Sequence, residues 1–225
     1  MTWLYLTFIV ACAAHVQTPK TQAPGTPWAW YGEFMGVAPQ VDKALLDAGY
    51  HIAYLPIPDM YGSPEAVAKM NLFYEEMVGC GLARKPLMIG VSRGGLYVYN
   101  WAEANPGKVA GIVGMSPVLD FKSWPRKIPA EWEKLKAQYH FASDVEAMAY
   151  TKNPVDNLAP LARFNVPLLN IYGVDDDVAP WTENTWLVDA RYTGGAKSIG
   201  LPGMGHNIYA GINPDLVMNF ALGAQ

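Results

Sequence analysis

Residues 86–104 constrain this sequence more than any other stretch. The run Pro-Leu-Met-Ile-Gly-Val at 86–91 is compact and apolar and reads as a buried strand, and residues 94–104 read as the helix that follows it at once. Between the two lies Gly90-Val91-Ser92-Arg93-Gly94-Gly95. A chain that passes from strand to helix over so few residues holds the residue at the apex in strained dihedrals and packs the helix close against the sheet. Glycines two positions either side of Ser92 remove the Cβ atoms that would clash across such a turn. The bare pattern G-x-S-x-G arises by chance; its strand-and-helix setting is what gives it weight. An ordinary strand–turn–helix with a capping serine is the plainer alternative, but it does not require the paired glycines.

Strand and helix signals alternate along the rest of the chain. Residues 28–31 (WAWY) form a short aromatic strand ending at Gly32, residues 50–57 are apolar and β-rich, and 109–115, 166–172 and 197–201 are further strands. Residues 39–48 have helical spacing and close at Gly49. Ser63-Pro64-Glu65 opens a helix to residue 78, with serine as N-cap and proline in the first turn. Helices at 182–192 and 214–222 complete the set. This order predicts an α/β fold, a mostly parallel central sheet with helices on both faces, as a single domain over 1–225. Residues 117–160 interrupt the alternation with polar helices (131–139, 144–150) and Pro-, Trp- and Lys-rich loops. An insertion of this size is expected to form a helical lid or cap over the sheet edge.

Residues 5–10 and 14–18, after which a Pro/Gly/Thr-rich connector runs to 27, are expected to pair as a β-hairpin. Ile9-Val10-Ala11-Cys12 also resembles a lipoprotein box, but no Lys or Arg precedes the apolar run and it is too short to span a bilayer. The compartment stays open, and secretion or a periplasmic location is compatible with the sequence. Cys12 and Cys80 have no metal-ligand spacing; two buried thiols are expected, with a single bridge as the alternative.

Of all residues, 51% are hydrophobic and 16% charged, which indicates a large globular core. A formal charge of −4 with scattered basic residues argues against a nucleic-acid partner. Eight Trp and thirteen Tyr serve the core and also suit a pocket for sugar rings or aromatic acyl groups.

A serine hydroxyl needs a base, and the base needs an orienting acid. His206, in Gly203-Met204-Gly205-His206 after the last strand, is the one histidine placed for this, since His15 and His51 sit on early strands and His140 in the insertion. The acid is expected after the penultimate strand, where Asp175, Asp176 and Asp177 are all candidates. Three consecutive carboxylates diverge and carry no further ligand pattern, so no metal is expected.

Gly173-Val174-Asp175-Asp176-Asp177-Val178-Ala179-Pro180 resembles the acid loop of the α/β-hydrolase superfamily, where the catalytic Asp is the third residue after the Gly. That resemblance selects Asp176 and implies a Ser92–Asp176–His206 triad in the family's chain order. It covers nearly the whole chain and implies an α/β-hydrolase fold and a serine esterase without cofactor. The segments PWAWYGEF, DMYGSP, SRGGLYVYNWA, DFKSWP and ENTWLVDARY are similar to a bacterial group of esterase-like proteins, many encoded near carbohydrate-degrading genes. The implied oxyanion hole draws on the N–H of Arg93 and, after the 28–31 strand, that of Glu33, although Tyr31-Gly32 stands where relatives commonly have His-Gly. The Arg93 side chain has two uses open to it: pairing with Glu33, or holding an acidic substrate such as a uronic-acid ester. Asp59, Tyr61, Trp124 and Trp181 are candidate substrate contacts, each aromatic also being an ordinary core residue. The expected substrate is a small-molecule or carbohydrate ester with a short acyl group. A prolyl-oligopeptidase-like peptidase and a catalytically inactive carbohydrate-binding protein are the alternatives; the charged stretch 122–136 argues against a lid for long-chain lipids.

Overall fold

Each central strand carries two sets of apolar side chains, one for each face of the sheet, as period-two geometry requires. In the computed structural model, which describes residues 16–224, the strands are β1 (Val16–Gln17), β2 (Trp28–Gly32), β3 (His51–Tyr54), β4 (Leu87–Val91), β5 (Gly111–Met115), β6 (Leu168–Gly173) and β7 (Lys197–Leu201). The helices are α1 (Pro39–Asp47), α2 (Pro64–Gly79), α3 (Gly94–Ala104), α4 (Pro129–Tyr139), α5 (Asp144–Ala149), α6 (Ala159–Arg163), α7 (Thr185–Arg191) and α8 (Pro214–Gly223). Trp28 and Trp30 of β2 and Met88 of β4 join the core under α2, α3 and α7. Ala29 and Tyr31 of β2, with Leu87, Ile89 and Val91 of β4, join the core under α1 and α8. Burial of the strands on both faces explains their nearly unbroken apolar runs.

The strands lie in the order β1-β3-β2-β4-β5-β6-β7, parallel throughout except for the pairing of β1 with β3. From β2 the chain moves outward to β3 and then returns to β4 on the other side, so the topology reverses between β2 and β4. At such a switch point the loops after the two strands diverge and leave a crevice.

The predicted elements are found, with local differences at their ends. The Ser63 hydroxyl accepts from the Ala66 N–H at 3.3 Å and caps α2. Strand β3 is shorter than the expected 50–57, because the Tyr50 N–H bonds back to the Leu45 carbonyl of α1 and Pro56 cannot continue a ladder. Likewise Val109 closes a 3₁₀ turn, Pro106–Lys108, and β5 starts only at Gly111. The strand expected over 5–10 lies outside the described residues. Cys80, at the end of α2, is disulfide-bonded, which corrects the expectation of two free thiols; Cys12 lies outside the described residues. Among the described residues, no helix is long and apolar enough to cross a membrane.

The 117–160 segment holds no strand. It packs around Phe121, whose ring meets those of Trp132, Tyr139, Phe141 and Tyr150 at 5.2–6.0 Å. This cluster runs on into Tyr61, Leu96 and Ala179 outside the segment. Asn184, fully buried, ties its start to the loop after β6: Oδ1 accepts from the Leu119 and Asp120 N–H groups, and Nδ2 donates to the Pro180 carbonyl.

Helix α3 also buries Glu103, whose Oε2 accepts from Asn157 Nδ2 while Oε1 has no partner. Burial pushes this carboxyl well above the ordinary 4.5, so the folded state favours the neutral acid. Its contribution to stability is present below the unfolded pKa and is lost as the pH rises toward the folded one. Glu103→Gln is therefore expected to raise the melting temperature at pH 8 and to have little effect at pH 4, as read by thermal denaturation at the two pH values.

Candidate active site

Six loops that leave the C-terminal ends of β2 to β7 meet at one edge of the sheet, where α/β crevices form. At its centre the chain turns from β4 into α3 through Ser92, whose φ is +50°. A left-handed backbone at a serine is strained and persists only where the surroundings fix it. Here the Ser92 N–H donates to the Met115 carbonyl at 2.9 Å, and its own carbonyl accepts from Gly95 and Val118 at 3.0 and 2.9 Å. The turn also needs contact that only glycine allows: a Cβ on Gly94 would overlap the Gly32 carbonyl, and one on Gly90 would lie 2.6 Å from Val98 Cγ2.

Ser92 Oγ lies 2.8 Å from His206 Nε2, and His206 Nδ1 lies 2.8 Å from Asp176 Oδ2. The other Asp176 oxygen accepts from the Val178 and Ala179 N–H groups at 3.0 and 2.9 Å. Asp176 is the buried member of the acidic run, with Asp175 and Asp177 exposed on either side. The His206 loop is bound to the acid loop, since the Asp175 N–H donates to the Met204 carbonyl and a Cβ on Gly173 would collide with the Gly205 and Met204 carbonyls. Tyr209 stands edge-on to His206 at 6.5 Å. Burial and the nearby Asp176 charge push its phenol up to about 12, against an interaction with the Ser92 hydroxyl, so it is neutral at ordinary pH.

The two residues expected to supply the oxyanion hole are joined by their side chains. Arg93 Nη2 lies 2.7 Å from Glu33 Oε1 and 2.7 Å from Asp59 Oδ1, and Nη1 lies 3.3 Å from Glu131 Oε2. The guanidinium centre also lies 5.4 Å from the Phe34 and Tyr61 ring centroids and 5.8 Å from that of Trp124. Glu33, with φ +62° and a side chain 1% exposed, accepts the Asp59 N–H on the same Oε1. Burial raises its carboxyl, and the Arg93 charge opposes the shift. The N–H groups of Glu33 and Arg93 have no hydrogen-bond partner among the described residues. Unpaired N–H groups are rare at buried positions.

Of the two uses open to Arg93, pairing with Glu33 is the one found. Both terminal nitrogens face carboxylates and the buried Nε has no partner, so the side chain is not free to hold an acidic ligand. Asp59, Tyr61 and Trp124 gather around Arg93, while Trp181 stacks on Tyr172 of β6 at 5.1 Å. Sequence reasoning missed Glu131, Tyr209 and Asn184. Glu131 looks like an acid in the first turn of α4, and Asn184 like a helix cap; nothing local distinguishes their long-range partners.

The chain shares its fold with solved hydrolases. A monoacylglycerol lipase from Paleococcus ferrophilus superposes with a TM-score of 0.61 at 18% identity, over 94% of this chain and 99% of the lipase. A carboxylesterase structure from Nitrososphaera gargenis gives 0.64 at 16%, over 93% and 94%. The chain has the α/β-hydrolase fold. A puromycin-hydrolyzing peptidase from Mycobacterium tuberculosis gives 0.62 at 15% identity, over 85% of this chain but 34% of the peptidase. No family model and no curated protein matches the sequence. In this fold Ser92 falls at the end of β4, Asp176 in the loop after β6 and His206 in the loop after β7.

The Glu33 side chain is 1% exposed, so water cannot replace Arg93 as its partner. Arg93→Met is expected to cost about 3 kcal/mol at pH 8 in urea denaturation. Without the cation, the folded pKa of Glu33 rises further above 4.5, so the deficit shrinks as the pH falls toward 4.

Proposed function

We propose that this protein is a serine hydrolase that cleaves carboxylic esters through an acyl-enzyme. The unbroken hydrogen-bond chain Ser92–His206–Asp176 on a strained elbow is the observation that carries this reading. His206, with Nδ1–H donated to Asp176, keeps Nε2 as acceptor for the Ser92 hydroxyl. Ser92 Oγ attacks the ester carbonyl as its proton passes to Nε2, and Asp176 stabilises the resulting imidazolium. The carbonyl oxygen gains negative charge and is received by the unpartnered N–H groups of Arg93 and Glu33, aided by the N-terminus of α3. His206 returns the proton to the leaving alcohol. A water molecule, deprotonated by the same imidazole, then releases the acid.

The acyl group is small and uncharged, and the alcohol side is a sugar or another polar alcohol. Glu33, Asp59 and Glu131 outnumber their cationic partners Arg93 and Lys134, which leaves an excess of negative charge beside Arg93 and disfavours an acid on the substrate. Asp59, whose side chain is 53% exposed, and the half-buried Trp124 offer a hydrogen-bond acceptor and a ring face, the usual pairing for a sugar. In this reading the segment 117–160, which carries Trp124 and Glu131 beside Arg93, is the cap of the site.

Hydrolysis of p-nitrophenyl acetate, butyrate and octanoate, acetylated xylan and a methyl glucuronate ester by wild type and Ser92→Ala tests the reading. Activity on the short esters is expected, and its loss in the variant. Asp176→Asn is expected to lower kcat by about 10⁴-fold. p-Nitrophenyl hemisuccinate is expected to react with kcat/KM about tenfold below the butyrate. Activity that survives in Ser92→Ala, or is absent from both proteins, would sink the assignment.

A further inference from the structure

Helix α4 belongs to the inserted segment, yet it grips the loop beside the proposed oxyanion hole at two points. The Tyr139 hydroxyl, at its C-terminal end, donates to the Tyr61 carbonyl at 3.0 Å. At its N-terminal end, Glu131 Oε2 accepts from the Tyr61 hydroxyl at 2.6 Å and faces Arg93 Nη1 at 3.3 Å. Its second oxygen accepts from Lys134 at 2.7 Å. Tyr61 itself is wholly buried with φ +49°, so its conformation depends on these ties.

We propose that Glu131 is a positioning residue for the oxyanion hole, acting from the inserted helix through Arg93 and Tyr61 on Glu33. This rests on the esterase reading given above. The path is short and wholly polar. Glu131 holds one terminal nitrogen of Arg93, which fixes the plane of the guanidinium. The other nitrogen is thereby aimed at Glu33 and Asp59, both of which have left-handed backbones. Glu33 and Arg93 carry the two unpartnered N–H groups, so a guanidinium that swings away loosens both donors together. Removing the Glu131 carboxylate also leaves the buried Tyr61 hydroxyl without its acceptor. A glutamine at 131 keeps an oxygen acceptor for both partners at nearly the same place; a leucine keeps neither.

The test compares wild type, Glu131→Gln and Glu131→Leu by three measurements: kcat and KM for p-nitrophenyl acetate, the inhibition constant of a trifluoromethyl ketone that forms a tetrahedral adduct on serine, and the melting temperature. Misplacing the donors is expected to lower kcat of Glu131→Leu by about tenfold or more. KM should change little, and the ketone should bind more weakly by a similar factor. Glu131→Gln should keep most of kcat and of ketone affinity. Two results would overturn the proposal with the esterase reading intact: Glu131→Leu folded and active within twofold of wild type, or a loss of kcat with ketone affinity unchanged. A wild type that neither hydrolyses the ester nor binds the ketone would overturn both.

Discussion

The contact on which this structure depends is the one between helix α3 and strands β2 and β4. The left-handed Ser92 is held because its N–H and carbonyl are both committed to neighbouring backbone, and those bonds form only if α3 starts directly against the sheet. Gly94 lies on the Gly32 carbonyl, where any side chain would overlap it. The close approach at β2 and β4 thus does two things. It raises the serine above the sheet edge, and it brings the loop after β2, with Glu33, beside the start of α3. Strain at Ser92 and the proximity of the loop after β2 are consequences of one packing event.

A second constraint is electrostatic. Placing an arginine at the N-terminal end of a helix runs against the helix dipole, and burying a glutamate runs against desolvation. Arg93 and Glu33 offset each other, and Asp59 and Glu131 complete the shell. The cluster joins four parts of the chain that are distant in sequence: the loop after β2, the loop after β3, the elbow and the inserted helix α4. A buried ion pair adds little to stability compared with apolar packing, but it does fix geometry, because each charge tolerates few positions for its partner. The same arrangement sets three carboxylates against Arg93 and Lys134.

Much of this was legible in the sequence, and the reasons differ from element to element. The limits of α3 and β7 followed from breakers and period, since both are bounded by strong local signals. Strand β3 is shorter than its apolar run because the cap of α1 takes the Tyr50 N–H. Spacing could not choose among three adjacent aspartates; the resemblance picked Asp176, which is the buried one and the one that lies against His206, between two exposed neighbours. Arg93 with Glu33 was readable because charge at a helix start demands a partner. Glu131 and Asn184 were not, because the partners Arg93, Tyr61 and Leu119 lie 38, 70 and 65 residues away across loops, and local pattern carries no information about such pairings.

The proposed function requires that Ser92 be a nucleophile activated by His206. Peptide mapping by mass spectrometry after reaction with a fluorophosphonate tests it most directly, with His206→Ala as the comparison. One adduct per chain is expected, on the peptide that carries Ser92, formed far more slowly in the variant. An unlabelled protein, or a label on another residue, would contradict it.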